Sequence, residues 1–429
     1  MLDFEAALAH ASAECGLIPA SAAPAIAGVC KADLLDIDAI ISASGASGSL
    51  AIPLIKKLTE TVSLFDKKAA KYVHWGATSQ DVIDTAMALV TKRSLAMIDG
   101  ELGRICFSLA ALARAHRDTP VLARTLMQAA QVTSFGLKAA NWLAPIVRSR
   151  WALRELAPHS LCLQLGSAVG TRAALGPRAD EIAQKVARRL DLTYTATAWH
   201  TQRDRWLRVG SEIGILCGGL GKIARDISLM SQSEIGELAE ASGGGRGGSS
   251  AMPHKRNPVG SMVVLAAAQR APQRVATLLA CMTQEHERGL GNWQAELAEW
   301  AALMVSAQGA ATAMATALEG LTVYAPRMFA NISALQGLVF AENASLLIAE
   351  VIGKDAAHRL VETASRKVSL GEGDLRSVLD RMIATDPKLA GHVATEKLDS
   401  AFSASSAASA AGRYVDATFS DLESNHTVK

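Results

Sequence analysis

The chain has 429 residues, half of them hydrophobic, and a formal net charge of +2 from interspersed basic and acidic side chains. That size allows two or three domains around a large apolar core without disulfides or structural metals. The mixed charge excludes a general electrostatic footprint for nucleic acid or lipid, so any anionic partner must be met locally. Six scattered cysteines (Cys15, Cys30, Cys106, Cys162, Cys217, Cys281), with no C-x-x-C pair or adjacent histidine cluster, predict buried thiols, a reducing compartment and no zinc site.

In chain order, the opening MLDFEAALAHASAECG is acidic and amphipathic, without the basic start and apolar run of a signal peptide. Later apolar runs read as broken by charge short of a membrane span, so a cytoplasmic protein is expected. Aromatic residues make up 4% and β-branched alternation is nearly absent, which predicts an all-α fold with strands at most minor. Leu95, Ile98, Leu102, Ile105, Leu109 and Leu112 recur at steps of three and four, the seam of a long helix closed by Asp118-Thr119-Pro120. A second long helix is predicted from about Thr201 to Ala241, with Val209, Ile213, Leu220, Ile223, Ile227 and Met230 on one stripe. A third starts at Asn257-Pro258, a cap followed by proline, and runs past Pro272 toward Arg288. Seams this long imply a bundle whose apolar faces continue into other subunits. The expected organisation is an N-terminal helical domain over residues 1–84, a central long-helix bundle over 85–335 and a C-terminal helical domain over 336–429.

Three stretches carry polar groups that packing does not require. In HWGATSQD, His74 to Asp81, residues Gly76, Thr78 and Ser79 offer donors at a helix start, where free N–H groups and the helix dipole favour a carboxylate. The same residues also read as a plain capping box. In RTLMQAAQVTSFG, Arg124 to Gly136, Gln128 and Thr133 interrupt what reads as an apolar helix. In SGGGRGGSSAMPHKRNP, Ser242 to Pro258, glycines flank Ser249, Ser250, Lys255 and Asn257, which reads as a lid loop over 242–258. Its Gly243-x-Gly245-x-x-Gly248 imitates a dinucleotide fingerprint. The preceding residues read as helical, and no acidic residue follows within about twenty positions to hold a ribose, so that reading fails. Successive N–H groups there form an anion nest, which with Lys255 would stabilise an enolate-like dianion.

GSSAMPHKRNP resembles the signature of the fumarase/aspartase superfamily, and GATSQDVIDTA and RTLMQAAQVTSFG are similar to its two other active-site regions, in order and spacing across nearly the whole chain. The resemblance implies a homotetramer around a central twenty-helix core, with each active site shared between three subunits. It implies addition or elimination beside a carboxylate of a small polycarboxylate substrate, through an aci-carboxylate intermediate. No metal, organic cofactor, nucleic acid or membrane is implied. Ser249, Lys255 and His254 correspond to catalytic positions, and Thr78, Ser79, Gln128, Thr133, Ser250, Met252 and Asn257 to substrate-holding ones. The chain is expected to begin some way inside the family pattern.

WHTQRDRW, Trp199 to Trp206, and QEHERGLGNWQAELAEW, Gln284 to Trp300, are similar to the superfamily's lactonising branch. They add His200, Gln202, Arg203 and Arg288 as substrate contacts, the arginines because a guanidinium holds a carboxylate by two parallel hydrogen bonds. Each arginine also reads as one half of a surface ion pair, Arg288 with Glu285, and His74 and His286 stay open as acids or anion contacts. The lyases carry QHA in the second region where this chain has Gln128-Ala129-Ala130. A lyase that expels an amine benefits from an acid there. A lactonising enzyme uses a substrate carboxylate, ionised at neutral pH because its pKa is about 4, and needs only a proton at carbon, which Ser249 would supply. Lactonisation of a carboxymuconate is therefore expected. An adenylosuccinate-type C–N lyase releasing fumarate is the alternative, needing a phosphate-binding basic cluster and a donor replacing residue 129.

Overall fold

The computed structural model describes residues 1–241, 247–248, 251–252 and 254–425. Among these, sixteen α-helices, five short 3-10 helices and two antiparallel strand pairs make up the regular structure, the all-α fold expected of apolar residues spaced at three and four. The N-terminal group is α1 (Leu2–Glu14), α2 (Ala22–Val29), α3 (Ile37–Ser47) and α4 (Ala51–Phe65). Next come α5 (Ser79–Ala115), the hairpin of β1 (Pro120–Thr125) and β2 (Gln128–Ser134), α6 (Phe135–Ser160) and α7 (Ala179–Leu190). The long helices α8 (Asp204–Met230), α9 (Val259–Ala280) and α10 (Asn292–Glu319) follow, with β3 (Leu238–Ala239) paired to β4 (Thr322–Val323). The C-terminal helices are α11 (Ala325–Ser333), α12 (Ala341–Ile352), α13 (Lys354–Ser369), α14 (Leu375–Thr385), α15 (Thr395–Ala401) and α16 (Ala404–Asn425).

By its contacts the chain forms two compact units whose boundaries fall inside the long helices, not at the three divisions expected from the sequence. Unit 1 comprises Met1–Gly100, Ser149–Gly218 and Ala267–Gly309. In it, Phe4, Leu8 and Cys15 of α1 pack with Val82 of α5 and with Ile182 and Val186 of α7. Trp206 of α8 stacks on Trp300 of α10 at 4.0 Å between centroids, and Trp300 Nε1 donates to Thr91 Oγ1 at 2.8 Å. A Cβ on Gly214 would meet the Val275 side chain at 2.7 Å, so only glycine lets α8 and α9 approach this closely. Unit 2 comprises Glu101–Arg148, Gly219–Ala266 and Ala310–Lys429. Its hairpin packs on α11 and α16, Arg117 pairs with Asp416 at 2.6 Å, and α12 to α15 enclose their own core around Ile348, Val361, Leu379 and Leu398.

The predicted seams are real, but the chain covers them itself. Leu95, Ile98, Leu102, Ile105 and Leu109 of α5 are buried, as are Val209, Ile213, Leu220, Ile223, Ile227 and Met230 of α8. They therefore give no reason for a second subunit. The apolar side chains left in solvent are others: Val90, Met97 and Phe107 on α5, Ile215 on α8, Met262 and Val263 on α9, and Val305 on α10.

Four further expectations are corrected. The second long helix stops at Met230, well short of Ala241, because Gly236 turns the chain at φ 62° and Leu238–Ala239 enters a strand pair. That strand also means the glycine loop is preceded by extended chain, yet its two residues pair antiparallel with β4 and are no part of a parallel dinucleotide-binding unit. RTLMQAAQVTSFG is a β-hairpin, not an interrupted helix, since Leu126 and Met127 both take positive φ and close a two-residue turn. Finally, α10 is long and apolar enough to cross a membrane by length and composition. Half of its apolar stretch is buried by the chain, through residues such as Leu303, Ala307, Ala311 and Met314, as in the core helix of a bundle.

Because Leu102 is fully buried, Leu102→Ala should lower the unfolding free energy in urea by about 2–5 kcal/mol. A loss below about 1 kcal/mol would mean that the seam is not packed as described.

Candidate active site at the start of α5

The helix start that the sequence offered as a carboxylate site is built from the inside outward. Thr78 precedes α5, and its N–H is accepted by Asp81 Oδ2 at 3.1 Å, the reach-back of a capping box. Asp81 does more than cap. It has no solvent exposure, accepts the N–H groups of Gly166 and Ser167 at 2.9 Å each, and meets His200 Nε2 at 2.8 Å. One carboxylate thus joins the start of α5, the loop after Leu165 and the segment before α8. His200 is 3% exposed and committed to Asp81, so it orients this framework.

One turn along, Asp84 is equally buried and gathers Arg203, Gln80 Nε2 at 3.2 Å, Gln164 Nε2 at 3.1 Å and Trp293 Nε1 at 2.9 Å. Arg203 bridges Asp84 and Glu296, donating to Glu296 through both Nε and Nη2, and lies 4.6 Å above the Trp199 ring. Burial pushes the Glu296 carboxyl above its usual range, and the Arg203 guanidinium opposes that shift without cancelling it. Arg203 was expected to hold substrate, with a surface ion pair as the other reading. It is fully buried and its donors are taken by two carboxylates, so neither reading describes it.

Arg288 is the opposite case. It comes from the loop between α9 and α10, is partly exposed, and donates to Thr78 Oγ1 at 2.8 Å, Ser79 Oγ at 3.0 Å and Gln80 Oε1 at 3.4 Å. Among the described residues no carboxylate pairs with it, and the ion pair with Glu285 does not form, because Glu285 accepts the Leu290 N–H at 2.8 Å. A hydroxyl that accepts from a guanidinium must turn its own hydrogen elsewhere. Thr78 and Ser79 are therefore left as donors beside an unneutralised cation, at the positive end of a 37-residue helix. Hydroxyl donors beside a cation at a helix start are the groups a carboxylate would engage. Gln202 lies nearby in sequence but is exposed, its amide donating to Ala198 O at 3.4 Å.

In unit 1, His74 Nδ1 meets the buried Glu5 carboxylate at 2.8 Å and His286 is exposed; unit 2 holds the remaining sequence-predicted residues that the structure describes. Gln128 is exposed and Thr133 partly buried on β2, and Ala129 stands opposite Arg124, which pairs bidentately with buried Glu237. Met252, His254 and Lys255 are exposed, and the Asn257 N–H donates to Gly247 O at 2.8 Å. The expected Asn257 cap is replaced by Glu240, whose carboxylate accepts from Gly260 N, Ser261 N and Ser261 Oγ at 2.6–2.8 Å. Ser249 and Ser250, with most of the 242–252 segment, lie outside the described residues. No group of three or more His, Cys, Asp or Glu side chains among the described residues is arranged to hold a metal ion.

Sequence reasoning missed Gln80, Asp81, Asp84 and Glu296. A signal was there: positions 80, 81, 84 and 85 form a polar stripe on a helix that is otherwise an apolar seam. The two arginines separate this reading experimentally. Arg203→Met should cost about 3–5 kcal/mol in denaturant unfolding, because it strands two buried carboxylates, whereas Arg288→Gln should cost less than about 1 kcal/mol. Equal losses would contradict the division into a buried framework and an open receptor.

Residues 1–273 match the family model described as lyase. The chain is 46% identical over 423 residues to the 3-carboxy-cis,cis-muconate cycloisomerase of Bradyrhizobium diazoefficiens, covering 99% of this chain and 93% of that protein. It is 46% identical over 401 residues to the enzyme of the same name from Pseudomonas aeruginosa, covering 94% and 87%. The crystal structure of 3-carboxy-cis,cis-muconate lactonizing enzyme from Pseudomonas putida superposes with a TM-score of 0.91 at 40% identity, covering 99% of this chain and 94% of that one. With the signature motifs, the helical fold and these relatives in agreement, the chain belongs to the lyase family of the fumarase/aspartase superfamily.

Proposed function

We propose that this protein is a cycloisomerase that closes 3-carboxy-cis,cis-muconate to 4-carboxymuconolactone. The observation that carries the reading is Arg288, a guanidinium with no carboxylate partner among the described residues, seated on the Thr78 and Ser79 hydroxyls. The names of the relatives agree with it. In the reaction a terminal carboxylate of the substrate adds to a carbon of the diene while the carbon beside another carboxylate takes a proton. One C–O bond and one C–H bond replace a C=C π bond, and nothing leaves. The attacking group is already ionised, so no general base is needed, which suits a chain with alanine at position 129. Arg288, Thr78 and Ser79 hold the carboxylate onto which charge develops, Lys255 and Asn257 stabilise the dianion, and Ser249 delivers the proton.

Substrate specificity is read by the loss of muconate ultraviolet absorbance across a panel of 3-substituted muconates, with AMP release from adenylosuccinate followed alongside. Ser249→Ala should lower turnover by about 10² to 10⁴ with little change in KM. Arg288→Gln should raise KM in addition, since it removes a contact made before the chemistry. Unchanged turnover in Ser249→Ala would move the proton-donor role to another group, and turnover of adenylosuccinate in place of muconates would sink the lactonisation reading.

The assembly we propose is a homotetramer with each active site shared between three subunits. Its support is now the exposed apolar side chains of the long helices, above all Phe107 at 79% and Val305 at 74% exposure. The six free thiols are in keeping with a reducing compartment such as the cytoplasm. In sedimentation at micromolar concentration the protein should run at four times the chain mass, and Phe107→Glu should shift it toward smaller species. A stable, active monomer would rule the assembly out.

A further inference from the structure

Arg288 is carried by the loop that joins α9 to α10, and one side chain of that loop sits in an unfavourable place. Gln284 folds against Gly289, where an added Cβ would meet the Gln284 Oε1 at 2.9 Å and its Cβ and Cδ at 3.1 Å, so the amide lies on the backbone next to Arg288. Both amide atoms, Oε1 and Nε2, are sealed from solvent, and neither has a hydrogen-bond partner. A buried donor and acceptor left unmet lose their hydration with no return. A methionine would fill the same space without that penalty. Two residues on, His286 takes a left-handed backbone angle, φ 48°, without being glycine.

The loop is otherwise closed on itself. The Gln284 N–H donates to Met282 O at 2.9 Å, Glu285 accepts the Leu290 N–H at 2.8 Å, Asn292 Nδ2 donates to Thr283 O at 2.8 Å, and Gln294 Oε1 accepts the Gly291 N–H at 2.9 Å. Among the described residues, the bonds from Arg288 to Thr78, Ser79 and Gln80 are its only hydrogen-bonded tie to α5. A carboxylate that engages the guanidinium competes for those same donors. It thereby loosens the one tie that keeps the loop where the Gln284 amide is unmet. We propose that Gln284 is a positioning residue: when a substrate carboxylate takes the Arg288 guanidinium, the 283–291 loop shifts over it and the Gln284 amide gains the hydrogen bonds that the free protein denies it. The inference rests on Arg288 as the carboxylate contact proposed above. The unmet amide raises the energy of the free arrangement alone, so it favours the bound one, and an apolar side chain of similar length removes that bias.

Tricarballylate, a tricarboxylate with no double bond to react, is the probe, titrated against the intact protein by calorimetry. Wild type should bind it and Arg288→Gln should lose it. Gln284→Met should weaken it by about tenfold or more and raise KM for 3-carboxy-cis,cis-muconate by a similar factor, with kcat within about threefold and the thermal midpoint unchanged or higher. Hydrogen exchange across 283–291 should slow in wild type when tricarballylate is bound, and that change should shrink in Gln284→Met. A side chain that only fills space gives a different pattern: affinity kept in Gln284→Met, or affinity, turnover and thermal midpoint lost together. Either result overturns the proposal, as does exchange across 283–291 that tricarballylate leaves unchanged in wild type. Failure of wild type to bind, or binding kept in Arg288→Gln, removes Arg288 as the carboxylate contact and this proposal with it.

Discussion

Asp81 and Asp84 are two carboxylates one turn apart on α5, both out of reach of solvent, and the candidate site exists because each is fully compensated. An isolated buried carboxylate is too costly to keep ionised. Asp81 is compensated mostly by backbone N–H groups and one imidazole, Asp84 by a guanidinium, two amides and an indole. Those partners come from segments distant in sequence, so satisfying the two acids requires the start of α5, the loop after Leu165, the segment before α8 and the start of α10 to be held at once. The positions of Thr78 and Ser79 follow from that requirement.

The buried ion cluster is better understood as a device for geometry than for stability. Replacing a buried ion pair by apolar residues is often neutral or stabilising, while removing one partner is severe. Arg203, Asp84 and Glu296 fit that description, since the Glu296 carboxyl stays above its normal range despite the cation beside it. What the cluster secures is a fixed arrangement of the starts of α5, α8 and α10 behind Thr78 and Ser79. Arg288, on a loop, is then set against a rigid platform with its charge still available.

The hairpin of unit 2 shows a different cost. Leu126 and Met127 adopt left-handed backbone angles without being glycine or asparagine, at roughly 1–2 kcal/mol each. Their side chains are 97% and 72% exposed, so apolar packing does not repay it within the chain. The pairing of Val121 with Thr133 and Leu122 with Val132, and the packing of the hairpin on α11 and α16, hold the turn in place. Arg124, one residue pair from the turn, is held by Glu237, which also accepts from Asn331.

Local periodicity was enough to give the helical class and the seams of α5 and α8, because spacing at three and four is written in nearest-neighbour order and survives whatever the seam packs against. Thr78, Ser79 and Arg288 stood out in the sequence as hydroxyls at a helix start and an arginine in a glycine-flanked loop, and the structure brings the three together. Legibility ended where the outcome depended on long-range partners. Arg203 and Arg288 looked alike in sequence, and only the tertiary arrangement of Asp84 and Glu296 made one a buried strut and left the other free. The hairpin read as helix because alanine and glutamine favour helix locally, and that preference lost to strand pairing that only the fold supplies. The seams, taken from sequence as surfaces for other subunits, proved to be the chain's own core. A pattern of apolar residues records that a face is to be buried, and the folded chain decides by what.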